Sequence, residues 1–300
     1  MAKQITFCAP RPAPSFTPLF VAIDKFLPEE GLEAKVEYSV RNSAERALAG
    51  DLDYVATAVG RGRYLEPKGL IFVAQHQARA TSHTLMIRPE VATAERISTV
   101  VMAGDGGEHD GLALELKSIL AQHGVKFEEA DISLYPVKGG HPDQFKALEE
   151  GIGDGAPVGS PWWLFLSKKG FVNLGCEADY SPGLGCNGIH VTREKMAKDP
   201  AEVQAVVRAY VKAVRYCREN VDGTIEVMQR WAKDWGVDSP EIAREAYGWL
   251  SPYWSETIGP DVFQRLLNNA AEKYQKPVAS LDQVLDTRFY DEALKALDRP

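Results

Sequence analysis

Long apolar runs, paired cysteines and excess positive charge are what this 300-residue sequence lacks. No stretch approaches the ~20 apolar residues that a transmembrane helix needs, so we expect no membrane insertion. The four cysteines (Cys8, Cys176, Cys186 and Cys217) show no CxxC spacing, which argues against a zinc site. A net charge of −8 argues against nucleic acid as a partner. We predict no metal ion and no cofactor.

The start of the sequence shows none of the parts of a signal peptide. The first four residues lead directly into Ile5-Thr6-Phe7, which we expect to be the first strand, with no charged leader, apolar core or cleavage site before it. We therefore expect a cytoplasmic protein, or a periplasmic one if a signal peptide has been removed. In a reducing cytosol a Cys176–Cys186 disulfide is not expected, and Cys217 is predicted to be a core thiol.

Two stretches about a hundred residues apart follow the same plan, and this repeat is the most informative feature of the sequence. The first copy has a predicted strand at 36–40, then Arg41-Asn42, a short helix and a strand at 54–59. The second has a strand at 132–137, then Lys138-Gly139-Gly140-His141, a helix and a strand at 156–159. Each copy places a helix N-terminus directly after a strand, where unpaired N–H groups and the helix dipole favour an anion or a polar head group. Two such units predict a ligand cleft.

The rest of the pattern predicts an α/β fold. Further strands are expected at 70–74, 84–87 and 99–103, and a helix at 111–122; strands alternating with helices imply parallel sheets with right-handed crossovers. Arg88-Pro89 marks the expected crossing into a second unit, and apolar residues at helical spacing dominate beyond Gly188. We predict two lobes, 1–88 with 186–300 and 89–185.

Residues 20–26, 30–32, 47–54, 160–162, 169–175 and 199–203 carry a family resemblance. Together they resemble landmarks of the SsuA/THI5-like (NMT1-like) type 2 periplasmic-binding-protein superfamily. The resemblance implies two α/β lobes with central mixed sheets, a hinge and a ligand cleft between them. Most members of this superfamily are solute receptors of ABC importers, and a minority are cytoplasmic enzymes. One departure is Arg41-Asn42-Ser43, where the family has a hydroxyl-rich turn.

Four candidate ligand contacts belong to the first lobe. Arg41 precedes a helix end and can grip a carboxylate or sulfonate bidentately. Asn42, with Glu45 three residues later, fits a capping box, so capping is its alternative role. Arg61 and Arg63 follow a strand at its C-terminal end, where open α/β sheets bind ligands; their alternative is a solvated loop.

The second lobe supplies another set of candidates. Gly139 and Gly140 let the backbone approach a ligand closely, and His141 is suited to be a ligand contact, a proton shuttle or a helix cap. Gly106 and His109 lie in a glycine-rich loop that is expected to face the cleft. In 161–163, Trp162 and Trp163 would point opposite ways if extended, one into the core and one, Trp162, stacking on a flat ligand.

Cys8 separates the two functions that the sequence leaves open. It ends the first predicted strand beside Arg11, a further candidate ligand contact whose guanidinium would lower the pKa of the thiol. An aromatic sulfinate desulfinase of the superfamily resembles this chain at that position. The first function is a binder of a small anionic or aromatic compound, with an ABC permease as partner. The alternative is a lyase or hydrolase of an aromatic acid, with Cys8 or His141 in catalysis.

Overall fold

The computed structural model describes residues 2–39, 42–58, 69–77, 83–104, 111–176, 187–274 and 277–298. The chain divides into two compact units, which we call unit 1 (residues 1–80 and 185–300) and unit 2 (residues 81–184). The sequence placed the first crossing after residue 88. The observed crossing is earlier because the strand at 84–87 pairs with two strands of unit 2.

The strands of the described residues are β1 (Lys3–Ala9), β2 (Leu32–Tyr38), β3 (Tyr54–Ala58), β4 (Leu70–Gln77), β5 (Thr84–Ile87), β6 (Thr99–Ala103), β7 (Ser133–Val137), β8 (Gly155–Val158), β9 (Val172–Cys176) and β10 (Asn187–Thr192). The helices of unit 1 before the first crossing are α1 (Thr17–Val21), α2 (Leu27–Glu29) and α3 (Ser43–Leu48). Those of unit 2 are α4 (Gly111–Gln122), α5 (His141–Glu149) and α6 (Trp162–Lys168). The C-terminal helices are α7 (Arg193–Lys198), α8 (Pro200–Glu219), α9 (Val221–Ala232), α10 (Pro240–Leu250), α11 (Pro260–Tyr274), α12 (Leu281–Val284) and α13 (Arg288–Leu297).

Each unit contains one mixed five-stranded sheet, and the two sheets share one plan. In unit 1 the strand order is β2-β1-β3-β10-β4, with β1 parallel to β2 and β3, and β10 antiparallel to β3 and β4. In unit 2 the order is β7-β6-β8-β5-β9, with β6 parallel to β7 and β8, and β5 antiparallel to β8 and β9. The internal repeat predicted from the sequence is therefore confirmed as β2-α3-β3 and β7-α5-β8.

The first helical segment is irregular. A 3₁₀ turn at Pro14–Phe16 precedes α1, and the backbone becomes π-helical over Ala22–Phe26 before α2. Pro14 and Pro18 lie in the first turns of these segments, where proline is well tolerated because its missing N–H would have no partner.

The core of unit 1 lies along α8. Val203, Val206, Tyr210 and Val214 recur at helical spacing and are buried, as the sequence pattern predicted. This face packs on α1, β4 and α13. Cys217 continues it as a fully buried core thiol, and burial raises its pKa well above the ordinary value.

The buried carboxylate of Glu202 links the amino ends of β1 and β3 in unit 1. Glu202 is 5% exposed, and its Oε1 accepts a hydrogen bond from the Tyr54 hydroxyl at 2.8 Å. Lys195 Nζ lies 2.8 Å from the same oxygen, and Lys3 Nζ lies 2.6 Å from Oε2. Two ammonium groups thus compensate the desolvation of this carboxylate.

None of the helices in the described ranges is both long enough and apolar enough to cross a membrane.

Candidate functional site

The carboxyl ends of the parallel strands in unit 2 gather its polar side chains. Because β5 runs antiparallel to β8, with Thr84 opposite Val158, the residue that precedes β5 lies at the same sheet edge as the residues that follow β8. His83, which precedes β5, and Ser160, which follows β8, therefore both lie at this edge. The helix α5 begins at the same edge, directly after β7.

The two glycines before α5 are required by the turn itself. The Gly139 N–H donates to Asp143 Oδ2 at 2.7 Å, and a side chain at position 139 would collide with that carboxylate. Gly140 is the N-cap residue, with φ 78° and ψ −145°, a conformation that other residues rarely adopt. His141 is the first residue of α5. Whether Gly139 and Gly140 also contact a ligand stays a prediction.

A hydrogen-bonded chain fixes the orientation of His141, which is 2% exposed. Its Nδ1 lies 2.7 Å from Gln144 Oε1. The Gln144 amide nitrogen donates to the Val101 carbonyl oxygen at 2.8 Å and to the Pro157 carbonyl oxygen at 3.1 Å. The Gln144 oxygen must therefore accept from His141, so Nδ1 of the neutral imidazole carries the proton and Nε2 the lone pair.

A second histidine, His83, contacts the first. The ring centroids of His83 and His141 are 4.9 Å apart, with an interplanar angle of 55°. Nδ1 of His83 lies 2.6 Å from Oε2 of Glu115 on α4, and both side chains are largely buried. A carboxylate can only accept, so His83 also presents Nε2 as its lone-pair nitrogen when neutral.

Ser160 and Trp162 follow β8 at this edge. The Ser160–Pro161 peptide bond is cis, and the buried Ser160 hydroxyl has no hydrogen-bond partner among the described residues. Trp162 lies in α6, and its ring packs against Phe145 and Phe165, with centroids 5.5 and 5.6 Å away. The extended alternation predicted for the tryptophan pair is therefore wrong, because a helix places Trp162 and its neighbour on adjoining faces. A ligand contact by Trp162 stays a prediction.

In unit 1, Asn42 occupies the position between β2 and α3. It is the exposed N-cap residue, in the left-handed conformation with φ 58° and ψ 16°, and its side chain makes no capping hydrogen bond. The capping box predicted with Glu45 is wrong, because a capping side chain usually requires an extended backbone at this position. Its ligand contact remains a prediction.

Cys8 lies on the face of the sheet that α3 covers. It is 1% exposed and belongs to an apolar cluster with Ala44, Ala47, Leu52, Val55 and Leu70. Its Sγ lies 3.8 Å from the Ser39 carbonyl oxygen. A reaction at this thiol would require a compound to enter the cluster, so the environment is that of a core residue.

The Arg11 guanidinium, expected beside Cys8, packs on a tryptophan ring, and Arg46 is a further cation near the thiol. The Arg11 guanidinium lies over the ring of Trp235, 5.6 Å from its centroid, as a cation–π pair. Arg46 is close enough to Cys8 for an electrostatic interaction and also donates to Glu37 at 2.7 Å. Arg46 is near the thiol because α3, which carries it, covers the face to which Cys8 points. An effect of Arg11 on the pKa of Cys8 stays a prediction.

Five further predicted contacts, Arg41, Arg61, Arg63, Gly106 and His109, lie outside the described residues, and their roles remain predictions. In the part of the chain that is described, no three His, Cys, Asp or Glu side chains come together in a way that could hold a metal ion.

Sequence reasoning missed the side chains that hold His141 and its neighbour His83. No sequence motif connects these side chains. His83 is the residue before β5, Glu115 lies in α4 and Gln144 lies in α5. The Gln144 partnership was accessible from spacing, since His141 and Gln144 are three residues apart on one helix face. The other two required the antiparallel placement of β5.

The two-unit architecture with matching mixed sheets is that of the type 2 periplasmic binding proteins. The family model described as the NMT1-like family matches residues 12–232, and the chain belongs to this family. The resemblance identified from the sequence is thereby confirmed. No curated protein sequence matches this chain well enough to add to the comparison.

Solved structures with this fold include binding proteins and an enzyme. The periplasmic aliphatic sulphonate binding protein SsuA from Escherichia coli is 16% identical, with a TM-score of 0.69 over 92% of this chain and 93% of that chain. The periplasmic nitrate-binding protein NrtA from Synechocystis PCC 6803 is 14% identical, with a TM-score of 0.74 over 100% of this chain and 90% of that chain. The desulfurization enzyme DSZB is 15% identical, with a TM-score of 0.69 over 98% of this chain and 99% of that chain.

Proposed function

We propose that this chain is a solute-binding protein for a small anionic or aromatic compound, such as a sulfonate, a carboxylate or a pyrimidine-like molecule, and that it delivers this solute to an ABC permease. The observation that carries the proposal is membership of the NMT1-like family together with a fold shared over nearly the whole chain with SsuA and NrtA. Those proteins bind aliphatic sulphonates and nitrate, which supports an anionic solute here. Export to the periplasm is part of this proposal.

The proposed contacts are polar groups at the carboxyl ends of parallel strands, where helix N-termini also begin. In unit 2 the carboxyl edge supplies Gly139, Gly140 and His141, and the partly buried Trp162 would add an aromatic surface. The remaining proposed contacts are Gly106, His109, Arg11, Arg41, Asn42, Arg61 and Arg63.

A thermal-shift screen tests the proposal. The panel would contain alkanesulfonates, arylsulfonates, aromatic carboxylates, nitrate and pyrimidines. A ligand present at a hundred times its Kd stabilises the folded state by about 2.7 kcal/mol, which raises the Tm of a protein of this size by about 5 °C. A panel in which no anionic or aromatic compound raises the Tm would count against the proposal.

Arg41→Ala examines the charge selectivity of the same site. If Arg41 forms a charge-assisted pair with the solute, its removal weakens binding by about 1.5 to 3 kcal/mol. A solvated surface arginine would change the affinity by less than about 0.5 kcal/mol. Titration calorimetry with the best compound of the screen measures the difference, and an affinity equal to that of the wild type would remove Arg41 from the site.

A second candidate function is a cytoplasmic lyase or hydrolase of an aromatic acid, supported by the fold shared with DSZB and by the paired imidazoles of unit 2. If Cys8 is its nucleophile, the thiol reacts with iodoacetamide faster than a free thiol at neutral pH, and Cys8→Ser abolishes turnover while retaining binding. Turnover that survives in Cys8→Ser would exclude this thiol as the nucleophile.

A further inference from the structure

The two histidines at the carboxyl edge of unit 2 have a geometry that binding alone does not require. We propose that His83, His141 and Glu115 form a general acid–base centre, so that the chain transfers protons to or from a bound molecule in addition to holding it. This centre acts whichever solute the protein binds, and it is independent of Cys8.

Glu115 gives His83 its chemical character. The 2.6 Å contact between Glu115 Oε2 and His83 Nδ1 commits that ring nitrogen to donation. It fixes one tautomer and places a negative charge behind the ring, where it stabilises the imidazolium that forms when Nε2 takes a proton. The side chains of His83 and Glu115 are 12% and 15% exposed, so water screens this pair only weakly.

His141 is held by a neutral partner instead. Gln144 is fully buried and is itself held by two backbone carbonyl oxygens of β6 and β8, so the His141 ring is anchored to the sheet. An amide oxygen fixes the tautomer of His141 but brings no charge to stabilise an imidazolium. The two imidazoles therefore differ in their support: a carboxylate lies behind the His83 ring, and an uncharged amide lies behind the His141 ring.

The contact between the rings brings the two imidazoles, with their different partners, into one centre. With their centroids 4.9 Å apart, the two imidazoles occupy one place at the sheet edge and so form one centre. His83 is the less buried of the two rings, so a molecule at this edge would meet His83 first, with His141 behind it. The catalytic residues of this centre are His83 and His141, while Glu115 and Gln144 are positioning residues.

Hydrolysis of p-nitrophenyl acetate is a suitable probe reaction. His83 Nε2 takes a proton from a water molecule as the water oxygen bonds to the ester carbonyl carbon. The bond from that carbon to the p-nitrophenyl oxygen then breaks, and its electron pair leaves with p-nitrophenolate. The second product is acetic acid, and the proton on His83 passes to solvent. No oxidant, reductant or cofactor is needed.

The experiment compares the full-length wild type with His83→Asn, His141→Asn and Glu115→Gln, and uses His123→Asn as the matched control. His123 is another histidine of unit 2, and its Nε2 lies 2.8 Å from the Leu174 carbonyl oxygen, outside the proposed centre. Because general-base catalysis contributes about 10² to 10⁴ in rate, we expect His83→Asn to lose at least tenfold of the protein-dependent rate. Glu115→Gln keeps an acceptor but removes the charge, so we expect an intermediate loss.

Two further readouts separate chemistry from folding. We expect added imidazole to restore part of the rate of a His83→Ala variant, which a merely structural role would not allow. We expect His123→Asn to keep the wild-type rate. Each variant is checked by circular dichroism, and if His83→Asn does not fold, the nearly isosteric Glu115→Gln carries the test. A wild-type rate equal to that of folded His83→Asn, or of Glu115→Gln, overturns the proposal. Thermal shifts with the solute panel are read separately, so solute binding and proton transfer can fail independently.

Discussion

The histidine of β4 makes the stability of the protein depend on pH. His76 is fully buried, its Nδ1 is hydrogen-bonded to the Tyr210 hydroxyl, and its ring packs edge-on against Phe16 and Tyr210. Burial lowers the pKa of His76 to about 3, and a backbone hydrogen bond at Ser15 offsets this only in part. In the unfolded chain the same imidazole has a pKa of about 6.5.

The sign of the effect follows from these two values. Between pH 6.5 and pH 3 the unfolded chain binds a proton at this position that the folded chain does not bind, so the free energy of unfolding falls as the pH is lowered. From pH 7.5 to pH 5.0 the contribution of this single group is a loss of about 2 kcal/mol. The lost stability returns in full above the unfolded pKa.

The double variant His76→Phe/Tyr210→Phe isolates this term. It removes the titrating ring and also its hydroxyl partner, so that only the Ser15 backbone group loses a hydrogen bond. His76→Phe alone also strands the Tyr210 hydroxyl, at a cost of about 1 to 3 kcal/mol. Urea denaturation followed by tryptophan fluorescence gives the free energy of unfolding at each pH. We expect the loss between pH 7.5 and 5.0 to be about 2 kcal/mol smaller in the double variant. Equal losses in both proteins would refute the reasoning.

Three other predictions concern stability. Glu202→Ala leaves Tyr54 and its lysines without their buried partner and should lower the free energy of unfolding by about 3 kcal/mol, as measured by urea denaturation; an effect under about 1 kcal/mol would contradict the network. Burial raises the pKa of Asp154, but hydrogen bonds from Ser98 and Thr99 outweigh it and lower the pKa. The contribution of Asp154 to the free energy of unfolding is therefore complete above about pH 4 and is lost as the pH falls through its folded pKa. The Tm difference between wild type and Asp154→Asn should therefore narrow in acid, and a constant difference would argue otherwise. Gly188→Ala should destabilise the protein strongly, because the new Cβ would lie 2.5 Å from Phe72 Cζ. Gly248→Ala in α10 has free space around the new Cβ and should stabilise the protein by about 1 kcal/mol. Similar Tm shifts in the two variants would exclude this packing argument.

Elements with clear ends were predictable from the sequence. The bounds of β5, β6 and α4 agree with the predicted 84–87, 99–103 and 111–122. In α4, the pattern of apolar residues at helical spacing ends at a glycine, Gly124, whose φ of 80° explains why the helix stops there. The sequence alone is enough to place an element when a periodic apolar pattern is followed by a residue that ends it, as Gly124 does here.

The edge strand β2 was only partly predictable. The sequence placed it at 36–40, whereas it spans Leu32–Tyr38 and starts directly after Gly31, which has a φ of 72°. Charged residues at 33, 35 and 37 alternate with less polar ones and conceal the strand from a search for apolar runs. Such charges are usual on an edge strand, because they oppose pairing with other chains.

The candidate site depended on tertiary structure to a greater degree. His141 and its glycines were predictable because a strand, two glycines and a helix follow one another in the sequence. The environment of Cys8 was not, because its burial results from the packing of α3 on the sheet. The contact of His83 with His141 joins residues 58 positions apart and follows only from the antiparallel direction of β5.

The most direct test of the proposed solute site uses two residues with the same unusual backbone. Asn42 and Ala92 are the non-glycine residues with positive φ among those described, at 58° and 65°. Glycine suits both positions, so Asn42→Gly and Ala92→Gly each remove a side chain without straining the backbone. Calorimetric titration with the best compound of the solute screen should show about tenfold weaker binding in Asn42→Gly, the value of one lost hydrogen bond, and unchanged binding in Ala92→Gly. Equal affinities in all three proteins would contradict a solute site at the junction of β2 and α3.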